Sequence, residues 1–373
     1  MRILHCLRAP VGGLFRHVLD LAGEQARRGH EVGIVAGSTS RNALTEQQFA
    51  GIAPQLALGV VQLPMSRQPG LGDIAAARSV THVARPLALD VLHGHGAKGG
   101  AYARLARRAL RSEGQQVKAF YTPHGGTLNF RPGTTQGRIF MGVERFLERY
   151  TDGLIFESAY AARVYRERLG AGPAPQRVIP NGLRPSDFVQ VQHDDAQARD
   201  LLFVGELRDL KGVDVLLAAL ARLNGEEMRL TATIVGSGPA EADLKAQARD
   251  LRLNEQVSFT GALPARTAFS LGGVMVVPSR AESFPYIVLE AAAAGLPLIA
   301  TNVGGIPEIV AGTDTGLIPP GDVAALSNAI RGVFADLPAA HARAQRLKQN
   351  VAAKFTVEGM ADAVLGFYAL TAA

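Results

Sequence analysis

The sequence predicts an α/β fold of two doubly wound, Rossmann-like domains, each a parallel sheet covered by helices. The chain of 373 residues is too long for one ordinary core and suits two. Short apolar runs of strand length alternate with segments of helical period, which favours parallel sheets. The alternation stops at the polar residues 186–200 and then starts again. We therefore predict domains at residues 1–185 and 186–354, and a C-terminal helix at 355–373 as a candidate for crossing back to the first domain.

The N-terminal half opens with a strand, a helix and a second strand. An apolar run at residues 2–7 predicts the first strand, and a helical pattern at 14–28 ends at Gly29. Residues 31–36 predict the second strand. Further apolar runs of strand length in this half lie at residues 60–63, 90–93, 117–122, 154–156 and 177–179. Because helical segments separate these runs, the strands are expected to be parallel.

The C-terminal half repeats the pattern with a second series of strands. Its apolar runs lie at residues 201–204, 230–235, 257–260, 274–278 and 297–300. Ligands of open parallel sheets bind outside the carboxyl ends of the strands. Functional residues are therefore expected in the loops that follow the strands.

Composition is typical of a soluble globular protein. Apolar residues make up 47% of the chain and charged residues 19%, and no low-complexity tract interrupts it. Cys6 is the only cysteine, so no internal disulfide can form and a reducing compartment is expected. The first residues form too short an apolar run for a signal peptide, and no uncharged stretch reaches the roughly 18 residues that span a bilayer. These observations predict a cytoplasmic protein.

Charge is distributed unevenly between the two halves. Residues 1–185 hold 24 Lys and Arg against 12 Asp and Glu, a net charge of +12, whereas the remainder holds 15 against 21, a net charge of −6. An Arg-rich solvated surface explains this difference, and so does an N-terminal half that faces an anionic acceptor or lies peripherally at the inner membrane face. Nucleic acid is not expected as a partner, because few aromatic residues interleave with the arginines and no binding motif is present.

Glycines follow several of the predicted strands. Gly12 and Gly13 lie between the first strand and the first helix, and Gly236 directly follows a strand of the second half. Glycines in such loops let backbone amides approach a phosphate or a sugar at a helix N-terminus, although any tight turn uses them equally. The first loop lacks the GxGxxG pattern, which counts against a nicotinamide cofactor.

Two cations lie in the loop at residues 205–212. Arg208 and Lys211 come just before the next predicted helix. For an isolated pair, solvated surface charges would be the simpler explanation. Their position after a strand end, beside Gly236 and the glycines at residues 304–305, favours the binding of a diphosphate.

Residues 278–295 place two carboxylates around one predicted helix start. Pro285 favours a helix that begins near Phe284. Glu282 then lies in the loop, and Glu290 lies on the early turns of the helix. The helix N-terminus suits phosphate oxygens, while the carboxylates would accept hydrogen bonds from sugar or ribose hydroxyls. The alternatives are that Glu282 only caps the helix and that Glu290 is only a surface residue.

The order of the motifs along the whole chain resembles the retaining family-4 glycosyltransferases. The motifs are Gly12 and Gly13 with His17, then His95, residues 122–125, 179–182, 205–212 and 236–239, Glu282 with Glu290, and residues 304–308. The resemblance implies the GT-B fold, in which two facing domains hold the active site in the cleft between them. It also implies hexose transfer from a nucleotide-diphosphate sugar with retention of configuration. No metal and no other cofactor is expected, and the chain has no Asp-x-Asp motif.

The resemblance assigns roles to individual residues. Lys211 and a nearby arginine would bind the diphosphate and stabilise the charge on the leaving group. Glu282 would hold sugar hydroxyls, Glu290 would hold the ribose, and His124 would approach the donor sugar from the first domain. Further donor contacts are expected from Gly12, Gly13, Gly236, Ser283, Phe284 and Pro285.

Two positions depart from the family pattern. Glu206 stands where the family commonly has arginine, so Arg208 becomes the candidate for the second phosphate cation. The family frequently has the string Glu-Gly-Phe-Gly at residues 282–285. In this chain, Ser283 and Pro285 occupy the two glycine positions. The backbone amides of this loop would then be oriented differently.

Three histidines of the N-terminal half, His93, His95 and His124, fall at predicted strand ends. The match of residues 122–125 to the family favours a functional role for His124, whereas His93 and His95 have no assigned role. No acidic or cysteine cluster accompanies them, so no metal site is predicted.

The expected acceptor is a glycan or a lipid-linked sugar, in the synthesis of a polysaccharide or glycoconjugate. Hints about the acceptor lie only in the N-terminal half, at residues 127–136 and in the basic helix around residues 104–111. Other activities known for this fold, those of a phosphorylase or an epimerase, stay open as alternatives. A non-catalytic subunit that binds sugar nucleotides is a further alternative from a different class.

Overall fold

The chain divides into two compact units, which are described separately. Unit 1 comprises Met1–Gly182 and Val357–Ala373, and unit 2 comprises Leu183–Thr356. Unit 2 therefore begins at Leu183 and includes the polar residues 186–200. The computed structural model describes residues 1–39, 43–125, 133–189, 191 and 198–370.

Unit 1 contains a sheet of seven parallel strands. The strands are β1 (Arg2–Leu7), β2 (Glu31–Gly37), β3 (Gly59–Leu63), β4 (Val91–His95), β5 (Lys118–Thr122), β6 (Gly153–Phe156) and β7 (Gln176–Val178). Their order in the sheet is β3-β2-β1-β4-β5-β6-β7. The strand predicted at residues 90–93 extends to His95, so His93 lies inside the sheet and His95 ends its strand.

In the described residues of this unit, six α-helices connect the strands and pack against the sheet. They are α1 (Gly12–Arg27), α2 (Ala43–Ile52), α3 (Gly72–Ala84), α4 (Gly96–Ser112), α5 (Thr135–Glu148) and α6 (Ala159–Leu169). Two of them begin at side-chain caps, because the hydroxyls of Thr134 and Ser158 accept hydrogen bonds from backbone amides of the first turn. The helix predicted at residues 14–28 starts two residues earlier, so Gly12 and Gly13 are its first residues.

Unit 2 repeats this architecture with six parallel strands. They are β8 (Arg199–Val204), β9 (Ala232–Val235), β10 (Val257–Gly261), β11 (Gly272–Val277), β12 (Leu298–Thr301) and β13 (Leu317–Ile318). Their order is β10-β9-β8-β11-β12-β13. Strand β13 has only two residues, too few to produce a sequence pattern, and it was not predicted. Parallel pairing throughout both sheets confirms the predicted pair of doubly wound α/β units.

Eight helices complete the described chain. Those of unit 2 are α7 (Val213–Gly225), α8 (Glu241–Asp250), α9 (Ala265–Ala268), α10 (Tyr286–Ala294), α11 (Ile306–Val310), α12 (Val323–Ala335) and α13 (Leu337–Lys354). The last helix, α14 (Val357–Leu370), belongs to unit 1. Its Phe367 and Tyr368 rings pack against Phe120 of β5. The chain thus returns to complete the core of the first unit.

Each sheet has one point at which the chain reverses its winding direction. In unit 1 this switch point lies between β1 and β4, and in unit 2 it lies between β8 and β11. The helices that follow the two strands lie on opposite faces there, which leaves a crevice for a ligand at the carboxyl ends. The two candidate sites described below lie at these points.

Among the residues that the structure describes, no helix combines the length and the apolar character needed to cross a bilayer.

Candidate functional site

Two loops of unit 2 meet at the switch point between β8 and β11. The loop after β8 ends at Gly212, and the loop after β11 starts at Pro278. Gly212 has a backbone φ of +68°, and a Cβ atom there would lie 2.1 Å from the Pro278 carbonyl oxygen. Only glycine therefore permits this close backbone contact.

The loop after β12 packs against the same segment from the other side. Gly304 has φ +59°, and a Cβ atom there would lie 1.9 Å from the carbonyl oxygen of Glu282. The amide of Gly305 donates a hydrogen bond of 2.7 Å to the Ser283 carbonyl. The glycines predicted to face phosphate thus also hold the loop that carries Glu282.

Lys211 and Glu282 form an ion pair at the centre of these loops. The Lys211 Nζ atom lies 2.6 Å from Glu282 Oε1, and the Ser279 hydroxyl donates to the same oxygen at 2.7 Å. The Lys211 side chain is 25% exposed and that of Glu282 10%. Two predicted site residues are therefore in direct contact, in a half-buried position that a ligand can still reach.

Arg280 is a residue of this site that sequence reasoning missed. Its guanidinium binds both carboxylate oxygens of Asp214 at 2.6 and 2.8 Å and donates to the Asp209 carbonyl at 2.6 Å. Its amide donates to the Leu210 carbonyl at 2.8 Å. Arg280 thus clamps the loop after β8 to the loop after β11. Its position two residues before Glu282 was the only signal in the sequence.

The electrostatics of this clamp follow from its geometry. Burial raises the pKa of Asp214, but the hydrogen bonds and charge of Arg280 outweigh burial and hold that pKa below its ordinary value. The hydrogen bond to Asp214 raises the pKa of Arg280 in turn. Both groups are therefore charged at neutral pH.

Arg208, the other predicted phosphate cation, is on the surface of the loop. Its guanidinium lies 3.4 Å from a carboxylate oxygen of Glu206, and both side chains are about half exposed. Exposed pairs of this kind contribute little to stability and exchange partners readily. Arg208 is therefore accessible to an anionic ligand.

The remaining predicted residues of unit 2 flank α10. This helix begins at Tyr286, and Pro285 occupies the capping position, so the helix starts two residues later than predicted. Phe284 is buried against Phe355. Glu290 is half-buried on the helix, and Gly236 starts the loop after β9, where its amide donates to the Gly261 carbonyl at 2.8 Å.

In unit 1, Gly12 and Gly13 form the exposed N-terminus of α1. Within the part of the chain that the structure describes, no side chain caps this end and a Cβ atom on Gly12 would meet no other atom within 4 Å. None of the described residues covers the first amides of α1, which is what the predicted donor contact would require.

Five histidines gather at the switch point of unit 1: His5, His17, His93, His95 and His124. His95 links two of them, because its Nε2 lies 2.9 Å from His5 Nδ1 and its Nδ1 lies 3.1 Å from His124 Nε2. His5 Nε2 lies 2.8 Å from Gln25 Oε1, and His17 Nδ1 lies 2.9 Å from Asn181 Oδ1. The predicted His124 is thus one member of a histidine cluster that the sequence did not reveal.

Burial keeps the members of this cluster neutral. Burial lowers the pKa of His5 to about 4 and that of His124 to about 3. Burial lowers the pKa of His17 to about 3, and the neighbouring His124 imidazole further disfavours a second protonated ring there. The pKa values of His93 and His95 are also held well below the ordinary range, first by burial and then by neighbouring histidines.

His124 and His93 are held in different ways. His124 has a backbone φ of +49°, a strained conformation for a side chain of this size that is typical of functional positions. His93 Nε2 lies 2.9 Å from the Thr122 hydroxyl, and the Tyr368 hydroxyl lies 2.6 Å from His93 Nδ1. His93, which had no assigned role, therefore joins the sheet of unit 1 to the C-terminal helix.

A large apolar cavity lies elsewhere in unit 1, between α3, α4 and α5. Its volume is about 700 Å³. Ile74, Ile139 and Phe146 line it and are about half exposed. Lys98, paired with Asp73 at 2.7 Å, lies at its edge. The segment 126–132, which overlaps the predicted acceptor loop at residues 127–136, lies outside the described residues.

The basic helix predicted around residues 104–111 is only partly a charged surface. Arg104 is fully buried, lies 2.8 Å from a Glu144 carboxylate oxygen and stacks over the Tyr121 ring. Arg107 is mostly buried in an ion pair with Asp152. Arg104 is therefore not available to an anionic partner, because Glu144 neutralises its charge within the core.

Comparisons of sequence match both units to transferase families. Residues 11–187 match the profile described as Glycosyltransferase Family 4, and residues 198–336 match the profile described as Glycosyl transferases group 1. A glycogen synthase of Mycobacterium tuberculosis is 30% identical over 96% of this chain and 91% of its own length. A phosphatidyl-myo-inositol mannosyltransferase of Mycolicibacterium smegmatis is 30% identical over 87% of this chain and 82% of its own length.

Comparison of structures supports the fold. The crystal structure of HepE from Anabaena in complex with UDP and glucose aligns with a TM-score of 0.80 at 20% sequence identity. The alignment covers 99% of this chain and 100% of the other. The chain therefore has the GT-B architecture of two Rossmann-like units.

Proposed function

The chain belongs to the family-4, group 1 glycosyltransferases, and from this premise we propose that it transfers a hexose from a uridine-diphosphate sugar to an acceptor hydroxyl with retention of configuration. The uridine base is proposed because HepE, a structural neighbour, holds UDP and glucose. The observation that carries the proposal is the Lys211–Glu282 pair at the switch point of unit 2, where doubly wound sheets bind their ligands.

The difficult step is departure of the nucleoside diphosphate. The bond between the anomeric carbon and the phosphate oxygen breaks, and negative charge grows on the leaving diphosphate. Lys211 and Arg208 would stabilise that charge from fixed positions, without a metal ion. The acceptor oxygen then bonds to the anomeric carbon on the same face, and its proton passes to a leaving phosphate oxygen.

Glu282 would hold hydroxyl groups of the transferred sugar. Lys211 and Ser279 both donate hydrogen bonds to Glu282 Oε1. Within the described part of the chain, no side chain donates to Glu282 Oε2. That oxygen is therefore suited to accept hydrogen bonds from a sugar. Glu290, on α10, would accept from the ribose hydroxyls. His124 is proposed to contact the donor sugar, and its strained backbone supports a functional position.

We propose an acceptor with an apolar part, such as a lipid-linked sugar at an anionic membrane surface. The apolar cavity of unit 1 and the net charge of +12 on residues 1–185 support this class. The name of the mannosyltransferase relative, which acts on a phosphatidyl-inositol, agrees with it. In flotation with anionic liposomes, wild-type protein should float, Ile139→Glu should float less, and Val189→Glu, an exposed position of unit 2, should match wild type. Equal flotation of all three would contradict a role for the cavity.

The test of the activity is release of UDP from UDP-glucose and other UDP-hexoses, measured with a panel of glycan and lipid-linked acceptors. Acceptor-dependent release that persists in EDTA, with a product that keeps the donor's anomeric configuration, is expected. Loss of activity in EDTA would contradict the metal-free step. Binding of UDP without transfer to any acceptor of the panel would favour a non-catalytic sugar-nucleotide-binding subunit. Epimerisation of the donor sugar would favour an epimerase, and phosphorolysis of a glycan would favour a phosphorylase.

A further inference from the structure

We propose that His17, His95 and His124 form a binding site for a transition-metal ion of the zinc class. Ring nitrogen atoms of the three side chains lie within 4.8 Å of one another. His95 Nδ1 and His124 Nε2 are 3.1 Å apart. Two imidazole nitrogens that bind a tetrahedral zinc ion, each at about 2.0–2.1 Å, are separated by about 3.4 Å. The pair already has nearly this spacing, and the ligand atom of His17 lies within 4.8 Å of both.

His17 supplies an unused lone pair. Asn181 Oδ1 accepts a hydrogen bond, so the proton of the neutral His17 ring is on Nδ1 and Nε2 carries a lone pair. His17 Nε2 is buried, and no group of the described residues forms a hydrogen bond with it. A buried acceptor without a donor is costly, and a bound cation would satisfy it.

His95 is oriented through a chain of hydrogen bonds. Gln25 Oε1 accepts from His5 Nε2, so the neutral His5 ring accepts at Nδ1. His95 must therefore donate from Nε2, which leaves the lone pair of His95 on Nδ1, the atom that faces His124. Gln25 and His5 thus act as outer partners that fix the ring for metal binding.

The carboxylate of Glu157 lies near the Nδ1 side of the His124 ring. Its Nδ1 lies 3.9 Å from Glu157 Oε1, a distance that a small movement of either side chain would close to a hydrogen bond. A proton on Nδ1 facing the carboxylate leaves the lone pair on Nε2, beside the lone pair of His95. A carboxylate behind a histidine ligand is the usual arrangement at zinc sites, where it fixes the ring and strengthens the ligand.

The chemistry of the three ligands selects the ion. Burial keeps all three rings neutral, as metal ligands must be. Three imidazoles with one open position suit Zn²⁺, Cu²⁺ or Ni²⁺, whereas Mg²⁺ and Ca²⁺ require oxygen ligands. The neighbouring trio His5, His93 and His95 is less suitable, because both nitrogens of His93 are engaged by Thr122 and Tyr368.

One consequence rests on the proposed function. If His124 contacts the donor sugar, a metal ion bound to its Nε2 holds the ring away from that contact. Zn²⁺ would then inhibit glycosyl transfer, while the reaction itself needs no metal.

The experiment is a titration of EDTA-treated full-length protein with Zn²⁺ and Co²⁺ in the absence of donor. One tight equivalent of Zn²⁺ is expected, with visible Co²⁺ absorption typical of tetrahedral coordination. His17→Gln and His124→Gln should each abolish tight binding, and Glu157→Gln should weaken it about 10-fold. His341→Gln, an exposed histidine of unit 2, is the matched control and should bind as wild type does.

Failure of the wild-type protein to bind one tight equivalent would overturn the proposal, whatever the variants do. Tight binding that survives in folded His17→Gln and His124→Gln proteins would also overturn it. Tight Zn²⁺ binding by a protein that transfers no sugar would leave the metal site standing and reject the proposed function. Transfer that is unaffected at saturating Zn²⁺ would overturn the inhibitory consequence.

Discussion

The ion pair between Lys211 and Glu282 is the central contact of the candidate site in unit 2. Their positions after strands, together with the family resemblance, marked both as site residues. Their contact at 2.6 Å was not predicted, because 71 residues separate them along the chain. Only the pairing of β8 with β11 brings their loops together. Arg280 was missed for the same reason, since its partner Asp214 lies 66 residues away.

The histidine cluster of unit 1 also brings together residues that lie far apart along the chain. His124 was predicted from the match of residues 122–125 to a family motif, whereas His17 and His95 appeared only as separate motif positions. The three side chains meet because β1, β4 and β5 are neighbours in the sheet and α1, which carries His17, follows β1. A sequence pattern local to one strand does not contain that information.

Replacing Lys211 tests the diphosphate contact. Lys211→Ala should lower kcat/KM for the donor by about 100- to 1,000-fold, because a preorganised charge on the leaving group is lost. Steady-state UDP release measures this. Lys245→Ala removes a lysine of unit 2 whose ion pair with Glu241 is exposed, and it should leave kcat/KM unchanged. Equal rates in the two variants would reject the role of Lys211.

Replacing Gly304 tests the backbone packing beneath Glu282. Gly304→Ala should lower the free energy of unfolding of unit 2 by about 1–3 kcal/mol, because its positive φ and the 1.9 Å approach to the Glu282 carbonyl force the loop to move. Denaturant unfolding measures the loss. Gly316→Ala, where a Cβ atom meets nothing within 4 Å, is the control and should be nearly neutral.

At the scale of elements, the strands were largely predictable and the contacts between their loops were not. Apolar runs in the sequence predicted every strand of the two described sheets except β13, whose two residues form no pattern. Pro285 indicated the start of α10 to within two residues. The clamp between the loops after β8 and β11, made by Arg280 and Asp214, depends on strand order. The apolar runs that predict the individual strands do not show in which order the strands pair in the sheet.

The clamp predicts a difference in acid stability. Since the folded pKa of Asp214 lies below its unfolded value of about 3.9, the ion pair stabilises unit 2 fully above that value and is lost as pH falls through the folded pKa. Urea unfolding should therefore show that Asp214→Asn destabilises unit 2 more at pH 6 than at pH 3, which lies below the unfolded pKa. An effect of equal size at both pH values would contradict the charge-based account.

Helix α14 predicts a second stability effect. Phe367 is buried against Phe120, so Phe367→Ala should lower the free energy of unfolding of unit 1 by about 3–5 kcal/mol. Faster hydrogen exchange in β5 and β6 would report the loss. Leu370→Ala, at an exposed position of the same helix, should have almost no effect. Unchanged exchange in Phe367→Ala would show that α14 does not stabilise this core.

For the whole molecule, length and alternation were enough to predict two α/β units, and the order of the motifs was enough to suggest the family. The structure adds a candidate site at the switch point of each unit: an ion pair among glycine loops in unit 2 and a histidine cluster in unit 1. The net charge of +12 on residues 1–185 already includes internal pairs such as the buried Arg104–Glu144 ion pair, so the excess positive charge belongs to other residues of that half.

The central claim is that the loops around Lys211 and Glu282 bind a nucleoside diphosphate. The most direct measurement is calorimetric titration of UDP into wild-type protein, Lys211→Ala and the control Lys245→Ala. We expect one UDP per chain for wild type and control, and at least about tenfold weaker binding for Lys211→Ala, which is about 1.4 kcal/mol. Equal UDP affinity in all three proteins, or no UDP binding to any of them, would contradict the claim.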